Sequence, residues 1–193
     1  TLSAGTDIGK CVVFANMAFM DGADETYVIP VTGVSAHQIE EIEENSPRAV
    51  IAGVRPKLGK SMEFLVDAWV REDFCKVLLE KIVRRASIKG RGGRLSAWPD
   101  KSFPRSDMKE AKSAEIKLIA AEQSNTSVVF GDRFILKLFR RLQKGVNPDL
   151  EIGRFLTAKG FRNLPVSAGA IEYVEQKEEP KTVAFLQQFV PNQ

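Results

Sequence analysis

The chain has 193 residues, of which 44% are hydrophobic and 27% charged, and its net charge is +3. This composition is ordinary for a globular protein, and the mildly basic charge permits an anionic ligand without identifying one. No apolar run approaches the roughly 20 residues that span a membrane, no signal-peptide pattern is present, and a single histidine, His37, excludes a histidine-based metal site or triad. The two cysteines, Cys11 and Cys75, lack CxxC spacing and predict packed thiols of a cytoplasmic protein.

The first 98 residues predict a small α+β unit. Strand-like runs at 11–19 and 26–31 flank a hairpin-like connection, and 49–54 is a further apolar strand. Ser35 suits the N-cap of a short acidic helix that ends near Glu44. From 62 to 85 apolar residues recur at helical spacing, which predicts one long helix, or two helices broken near 71–73.

A basic, glycine-rich turn follows, with the sequence Lys89-Gly90-Arg91-Gly92-Gly93-Arg94. Such a turn contacts phosphate or nucleic acid in some proteins, and in others it is a flexible connection with solvated arginines. No aromatic residues alternate with the cations here, so we favour the solvated connection.

Residues 99–113 are polar and interrupted by Pro99 and Pro104, which predicts a boundary between two subdomains. Beyond it, Asn147 and Pro148 suit the start of a helix, and Gly160 suits the position after its end. The predicted order is a strand at 116–121, a hairpin, a helix at 147–159, and strands at 170–174 and 183–189. This order is that of a kinase-like N-terminal lobe.

The predicted hairpin places a lysine inside an apolar strand. Gly131-Asp132, between Val128–Phe130 and Phe134–Phe139, suits a two-residue turn. Period-two alternation puts Phe134, Leu136 and Leu138 on one face, and Ile135, Lys137 and Phe139 on the other. A fixed ammonium one strand after a polar loop is how kinase-type folds hold the phosphates of ATP, whereas other strand lysines extend their stems to solvent. The spacing alone leaves both interpretations open.

The run EQSNTSVVFGDRFILKLFRR at 122–141, continued through 145–156, resembles maltokinase, and most closely the maltokinase region fused to the C-terminus of bacterial trehalose synthases. The resemblance includes 90–93 and 186–193, and it is looser before residue 90. It implies an α+β fold, with a protein-kinase-like N-terminal lobe at 99–193 (an antiparallel sheet plus one helix) and a small cap subdomain at 1–98.

The resemblance also implies which residues bind the nucleotide. Lys137 and Glu151 take the places of the strand lysine and the helix glutamate that pair in kinases. The phosphate-covering loop would be Ser124, Asn125, Thr126 and Ser127, without the glycines of GxGxxG, and the hinge that reads adenine would be Gln187 with Gln188, Phe189 and Val190. Each assignment has a plainer alternative. Glu151 would be exposed and pair with Arg154, residues 124–127 would be an ordinary strand connection, and residues 187–190 would be a plain edge strand.

The implied enzyme transfers the γ-phosphoryl group of ATP to maltose, giving maltose 1-phosphate. We find no counterpart here of its C-terminal lobe, which carries the catalytic aspartate, the Mg²⁺ ligands and the sugar groove. We therefore expect an N-terminal fragment that is inactive alone. One alternative is a non-catalytic module that docks trehalose synthase or another partner. Another is a nucleic-acid-binding domain, which rests on the basic turn alone; we expect no nucleic acid and no membrane as partners.

Overall fold

The computed structural model describes residues 9–55, 62–101, 105–111, 114–122, 125–175 and 178–191. In chain order the elements are β1 (Cys11–Met17), β2 (Glu25–Ser35), α1 (Ala36–Asn45), β3 (Val50–Val54), β4 (Glu63–Asp67), α2 (Glu72–Val83), β5 (Ser87–Lys89), β6 (Gly93–Pro99), α3 (Arg105–Ala111), β7 (Ile116–Glu122), β8 (Asn125–Phe130), β9 (Phe134–Phe139), β10 (Arg141–Leu142), α4 (Pro148–Ala158), β11 (Ser167–Glu175) and β12 (Lys181–Gln188). Short 3₁₀ helices at Pro47–Ala49 and Ala68–Val70 precede β3 and α2.

Two antiparallel sheets organise these elements. The smaller has the order β1-β2-β4-β3, with β10 added against β2, and the larger has the order β5-β6-β11-β12-β9-β8-β7. This arrangement confirms the predicted α+β class with a kinase-like sheet. Within the described ranges no helix is long and apolar enough to cross a membrane.

Strands are exchanged between the two halves of the sequence. β5 and β6 come from the segment before residue 99, yet β6 is paired with β11 of the larger sheet. β10 follows the larger sheet along the chain but pairs with β2 of the smaller one. The boundary at 98/99 therefore falls at the end of a strand of the larger sheet, and the division into two domains stays a prediction.

The main core lies between α2 and one face of the larger sheet. Phe74, Leu79 and Ile82 of α2 are fully buried and share a cluster with Leu136 of β9 and Leu186 of β12. Val28 of the smaller sheet belongs to the same cluster. Burial of this apolar surface favours the folded chain and holds both sheets together.

The helix predicted from 62 is wrong over its first part. Residues 63–67 form β4, which pairs with both β2 and β3, and α2 starts only at Glu72. The Asp67 carboxylate accepts a hydrogen bond from the Trp69 N–H (3.0 Å) and begins a 3₁₀ turn between strand and helix. Pairing with β2 overrides the helical spacing, because Val66 is buried by that sheet contact.

The predicted two-residue turn after β8 is also wrong. Phe130 pairs directly with Phe134, so the loop has three residues, and the Arg133 N–H donates to the Phe130 carbonyl oxygen (3.3 Å). Gly131 has a φ of +59°, which glycine adopts without strain. The predicted N-cap at Ser35 is confirmed, and the Ser35 N–H also donates to Gln38 Oε1 (3.1 Å), as in a capping box.

Candidate functional site

Lys137 lies in a row of residues that crosses the larger sheet. It is directly opposite Ser127 on β8 and Phe185 on β12, and Phe185 is opposite Ala170 on β11. The predicted alternation along β9 is confirmed, because Phe134, Leu136 and Leu138 are in the main core. Lys137 is therefore on the opposite face of the sheet, with its side chain 29% exposed.

Helix α4 covers the same face beside Lys137. Leu150 is fully buried in a cluster with Phe139, Ala170 and Phe185. A Cβ added to Gly153 would lie 3.1 Å from a Phe185 ring carbon, so the helix backbone approaches the sheet closely. Glycine at 153 permits this approach, which places the start of α4 next to the lysine.

The N-terminus of α4 is fixed by two hydrogen bonds. Asn147 Oδ1 accepts from the Asp149 N–H (2.9 Å), which confirms the predicted N-cap. The Asn147 N–H donates to Thr182 Oγ1 (2.9 Å), and Thr182 is buried on β12. Thr182 is not among the residues predicted from the sequence, although a threonine in an apolar strand is a signal for a buried hydrogen bond.

Asp149 is the carboxylate that contacts the lysine. Lys137 Nζ lies 3.7 Å from Asp149 Oδ2, and the predicted Lys137–Glu151 pair is not formed. Successive helical residues are about 100° apart, so Asp149 and Glu151 lie on opposite flanks of Leu150, which faces the sheet. This rotation turns Asp149 toward β9 and leaves Glu151 exposed.

The residues proposed to cover the phosphates are divided between the two faces of β8. Ser124 lies outside the described residues. Asn125 and Ser127 pair with Phe139 and Lys137 and share the lysine's face. Thr126 is buried on the other face, where its hydroxyl accepts a hydrogen bond from Arg140 Nε (2.9 Å). The structure therefore brings Asn125 and Ser127, but not the Thr126 hydroxyl, to the face of Lys137.

Arg140 joins this site to the smaller sheet. Its Nη2 atom lies 2.7 Å from Asp67 Oδ2, and its carbonyl oxygen accepts from the Val28 N–H (2.8 Å). Both charged side chains are largely covered: the Arg140 side chain is 24% exposed and that of Asp67 is 20% exposed. The contact connects β4 to the strand that carries the candidate phosphate loop.

The predicted hinge follows β12. The Gln188 N–H donates to the Val166 carbonyl oxygen (2.9 Å) and the Phe189 N–H to that of Arg133 (2.8 Å). Val190 is 56% exposed, its N–H has no acceptor within the described ranges, and the next residue is Pro191, which has no N–H. Within the predicted hinge, the Val190 N–H is therefore a backbone donor that the described residues leave without an acceptor.

The C-terminal half of α4 is held by a second set of contacts. Arg154 Nε lies 3.2 Å from Asp100 Oδ1, and its guanidinium carbon lies 4.3 Å from the centre of the Trp98 ring. The Ser167 hydroxyl donates to the same Asp100 carboxylate. Arg154 thus pairs with Asp100, which sequence analysis did not identify.

The described residues contain no group of three histidine, cysteine, aspartate or glutamate side chains placed to share a metal ion. On the lysine's face of the sheet, the strand pairing brings together the polar side chains of Asn125, Ser127 and Lys137.

No family model matches the chain. Its fold is similar to that of glucosamine kinase in complex with glucosamine, ADP and inorganic phosphate, with a TM-score of 0.50 and 13% identity over 99% of this chain. Two other crystal forms of glucosamine kinase align with TM-scores of 0.48 and 0.46, both at 15% identity. The chain spans 38% of the length of the first of these structures. The likeness shows that the chain shares its fold with part of glucosamine kinase.

Proposed function

We propose that the chain is the nucleotide-binding half of an ATP-dependent sugar kinase. Lys137 would hold the phosphates of ATP, Asn125 and Ser127 would line the phosphate loop with Ser124, and the hinge at 188–190 would read adenine. The observation that carries the proposal is the position of Lys137 on the α4 face, opposite strand β12, which leads into the predicted hinge at 188–190.

The spacing along β12 supports this assignment. Lys137 is opposite Phe185, and Gln188 follows three residues later, a distance of about 10 Å along a strand. This distance suits a nucleotide with its base at the hinge and its phosphates at the lysine. Between them, Ile135 is opposite Gln187, shares the face of Lys137 and is only partly buried, so an apolar side chain is available for the base.

The acceptor is maltose, by the resemblance to maltokinase, and the product is maltose 1-phosphate. The glucosamine kinase structure contains ADP and a sugar, which supports the general class of reaction. Mg²⁺ would enter with the nucleotide and neutralise charge on the β- and γ-phosphates. We place its protein ligands, the catalytic base and the sugar groove outside these 193 residues. Glu151 remains in the proposed site as the second carboxylate near the start of α4, without an ion pair to Lys137.

Titration of the 193-residue chain with ADP, followed by calorimetry, tests the nucleotide site. Lys137→Met keeps the apolar stem of the side chain and removes the ammonium, so ADP should bind at least about tenfold more weakly, equivalent to about 1.4 kcal/mol. Lys117→Met is the matched control, because Lys117 lies on edge strand β7 with 66% of its side chain exposed. Equal affinities for the wild type and Lys137→Met would contradict the site, and an absence of ADP binding would favour the docking-module alternative.

Transfer of radiolabel from ATP to maltose is the second test. The chain alone should give no maltose 1-phosphate, because the phosphoryl-transfer template needs a base and metal-binding carboxylates that we do not assign here. Phosphorylation of maltose by the purified chain would falsify the assignment as the nucleotide-binding half.

A further inference from the structure

A second cleft lies at the opposite end of the larger sheet's strand order from Lys137, at strands β5, β6 and β11. It runs between β1 and the β5–β6 hairpin and has a volume of about 780 Å³. Cys11 and Phe14 of β1 line it together with Tyr173 of β11, and the hairpin tip at 89–93 forms the facing wall. Strands β12 and β11 separate β9 from β6, so the hairpin is roughly 14 Å from the strand of Lys137.

The hairpin carries three cations with no anionic partner. Lys89, Arg91 and Arg94 are exposed, and across the described part of the chain none of them has a carboxylate within 4.0 Å. Lys89 and Arg94 are directly opposite each other on β5 and β6. Like charges in this position destabilise a strand pair. Lys89 and Arg91 line the cleft, whereas Arg94 does not, so the first two are the cations that a ligand in the cleft can reach.

The carboxylate at the cleft does not neutralise these cations. Glu175 lines the cleft, but its Oε2 atom lies 3.1 Å from Lys181 Nζ. Its Oε1 atom accepts a hydrogen bond from the Tyr173 hydroxyl at 3.4 Å. The charge of Glu175 is thus satisfied within the fold, and the hairpin remains positive.

The glycines of the hairpin tip differ in whether packing requires a residue without a side chain. A Cβ at Gly93 would lie 2.5 Å from the Val174 carbonyl oxygen, so packing against β11 requires glycine. At Gly90 the nearest atom would be 3.5 Å away, an ordinary contact, so packing does not require glycine. Gly90 adds no side chain at the tip, and its N–H donates to the Gly93 carbonyl oxygen (2.7 Å), so the cations rather than this amide would contact an anion.

The floor of the cleft is apolar. The Phe14 and Tyr173 rings stack with centroids 3.8 Å apart and an angle of 16° between their planes. Leu95 and Val12 pack beside them against the main core. The aromatic residues that are absent from the basic turn in sequence are therefore supplied by β1 and β11 in space.

We propose that this cleft binds a small phosphorylated molecule with an apolar body, the phosphate on Lys89 and Arg91 and the body against Phe14 and Tyr173. The site is separate from the candidate nucleotide site and does not depend on it. The site combines the unpaired cations of a glycine-rich hairpin tip with an aromatic floor. These residues are distant in the sequence, so no single sequence motif contains them all.

Cys11 provides a direct readout of occupancy, because its thiol lines the cleft. Cys75 is fully buried, and burial raises the pKa of its thiol to about 12, so it stays protonated and silent near neutral pH. Alkylation by iodoacetamide therefore reports on Cys11. The probe is 4-nitrophenyl phosphate, applied to the 193-residue Lys137→Met variant so that the nucleotide site does not contribute.

Saturating 4-nitrophenyl phosphate should slow alkylation of Cys11 at least fivefold, whereas 4-nitrophenol and sodium chloride of equal ionic strength should not. Lys89→Glu should abolish the protection; it replaces a like-charged pair by an opposite one, so the hairpin remains folded. Arg91→Gln at the tip should weaken the protection, and Lys117→Glu, a matched charge reversal on β7, should leave it unchanged. Absent protection, equal protection by sodium chloride, or protection that survives Lys89→Glu would each overturn the proposal.

Discussion

Asp149 and Glu151 lie on opposite flanks of α4, and only Asp149 reaches Lys137. More than half of the Asp149 side chain is exposed, so the pair contributes little to stability, at most about 1 kcal/mol. A carboxylate beside the lysine also repels a phosphate bound there. Asp149 therefore affects nucleotide affinity more than it affects folding.

We predict that Asp149→Asn tightens ADP binding about two- to fivefold, because it removes a negative charge from the phosphate end of the site. Glu151→Gln removes the same charge from the other flank and should change affinity less than twofold. Both variants change the net charge equally, so calorimetry on the two shows whether ADP affinity depends on the charge beside Lys137 or on the net charge of the chain. Weaker binding by Asp149→Asn would mean that this carboxylate positions the lysine, and weaker binding by Glu151→Gln would restore the Lys137–Glu151 pair.

The residues that sequence analysis placed correctly depend on short-range patterns. The face of Lys137 follows from alternation along β9, and the Asn147 cap follows from residues within one helical turn. Thr182 and Asp149 could not be placed in this way. The first depends on a bond across 35 residues of sequence, and the second depends on how α4 is rotated against Phe185.

At the scale of the element, α4 is positioned at its N-terminus by Thr182. We predict that Thr182→Val lowers the free energy of unfolding by about 1–2 kcal/mol, because it leaves the partly buried Asn147 N–H without its acceptor. It should also weaken ADP binding, since the start of α4 lies beside Lys137. Thermal unfolding and calorimetry measure the two effects.

Two variants control this experiment. Thr182→Ser keeps the hydroxyl and should restore both stability and affinity. Thr26→Val removes an exposed bond to Asn16 (2.8 Å) and should change the free energy of unfolding by less than about 0.5 kcal/mol. A stable Thr182→Val variant with normal ADP affinity would show that the bond does not position α4.

Element boundaries were predicted well where local signals mark them, as at Ser35 and Gly160. The failure at 63–67 has a physical cause: β4 is a central strand of its sheet, flanked by β2 and β3, so pairing on both sides decides its conformation. A periodicity count within one segment contains no information about those partners. The same holds for β10, whose two residues are too few to form a pattern.

For the whole molecule, Arg140 is a charged side chain that connects the two sheets in addition to the shared core. We predict that Arg140→Met lowers the free energy of unfolding by about 1–3 kcal/mol, because Asp67 and the Thr126 hydroxyl lose a largely covered partner. In a chain of this size that corresponds to a fall in Tm of roughly 2–10 °C. Arg141→Met is the adjacent control, because Arg141 is half-exposed in its pair with Glu25 and should matter little. Equal Tm values for the two variants would contradict a linking role for Arg140.

The exchange of strands between the sheets restricts how such a chain can recombine with a relative. A chimera joined after residue 98 would set β6 of one parent against β11 of the other, and Asp67 of one against Arg140 of the other. Val28 would also enter a core built by foreign strands. Substitutions on either side of that junction must therefore be inherited together, and the two sheets, rather than either half of the sequence, form the unit that can be transplanted intact.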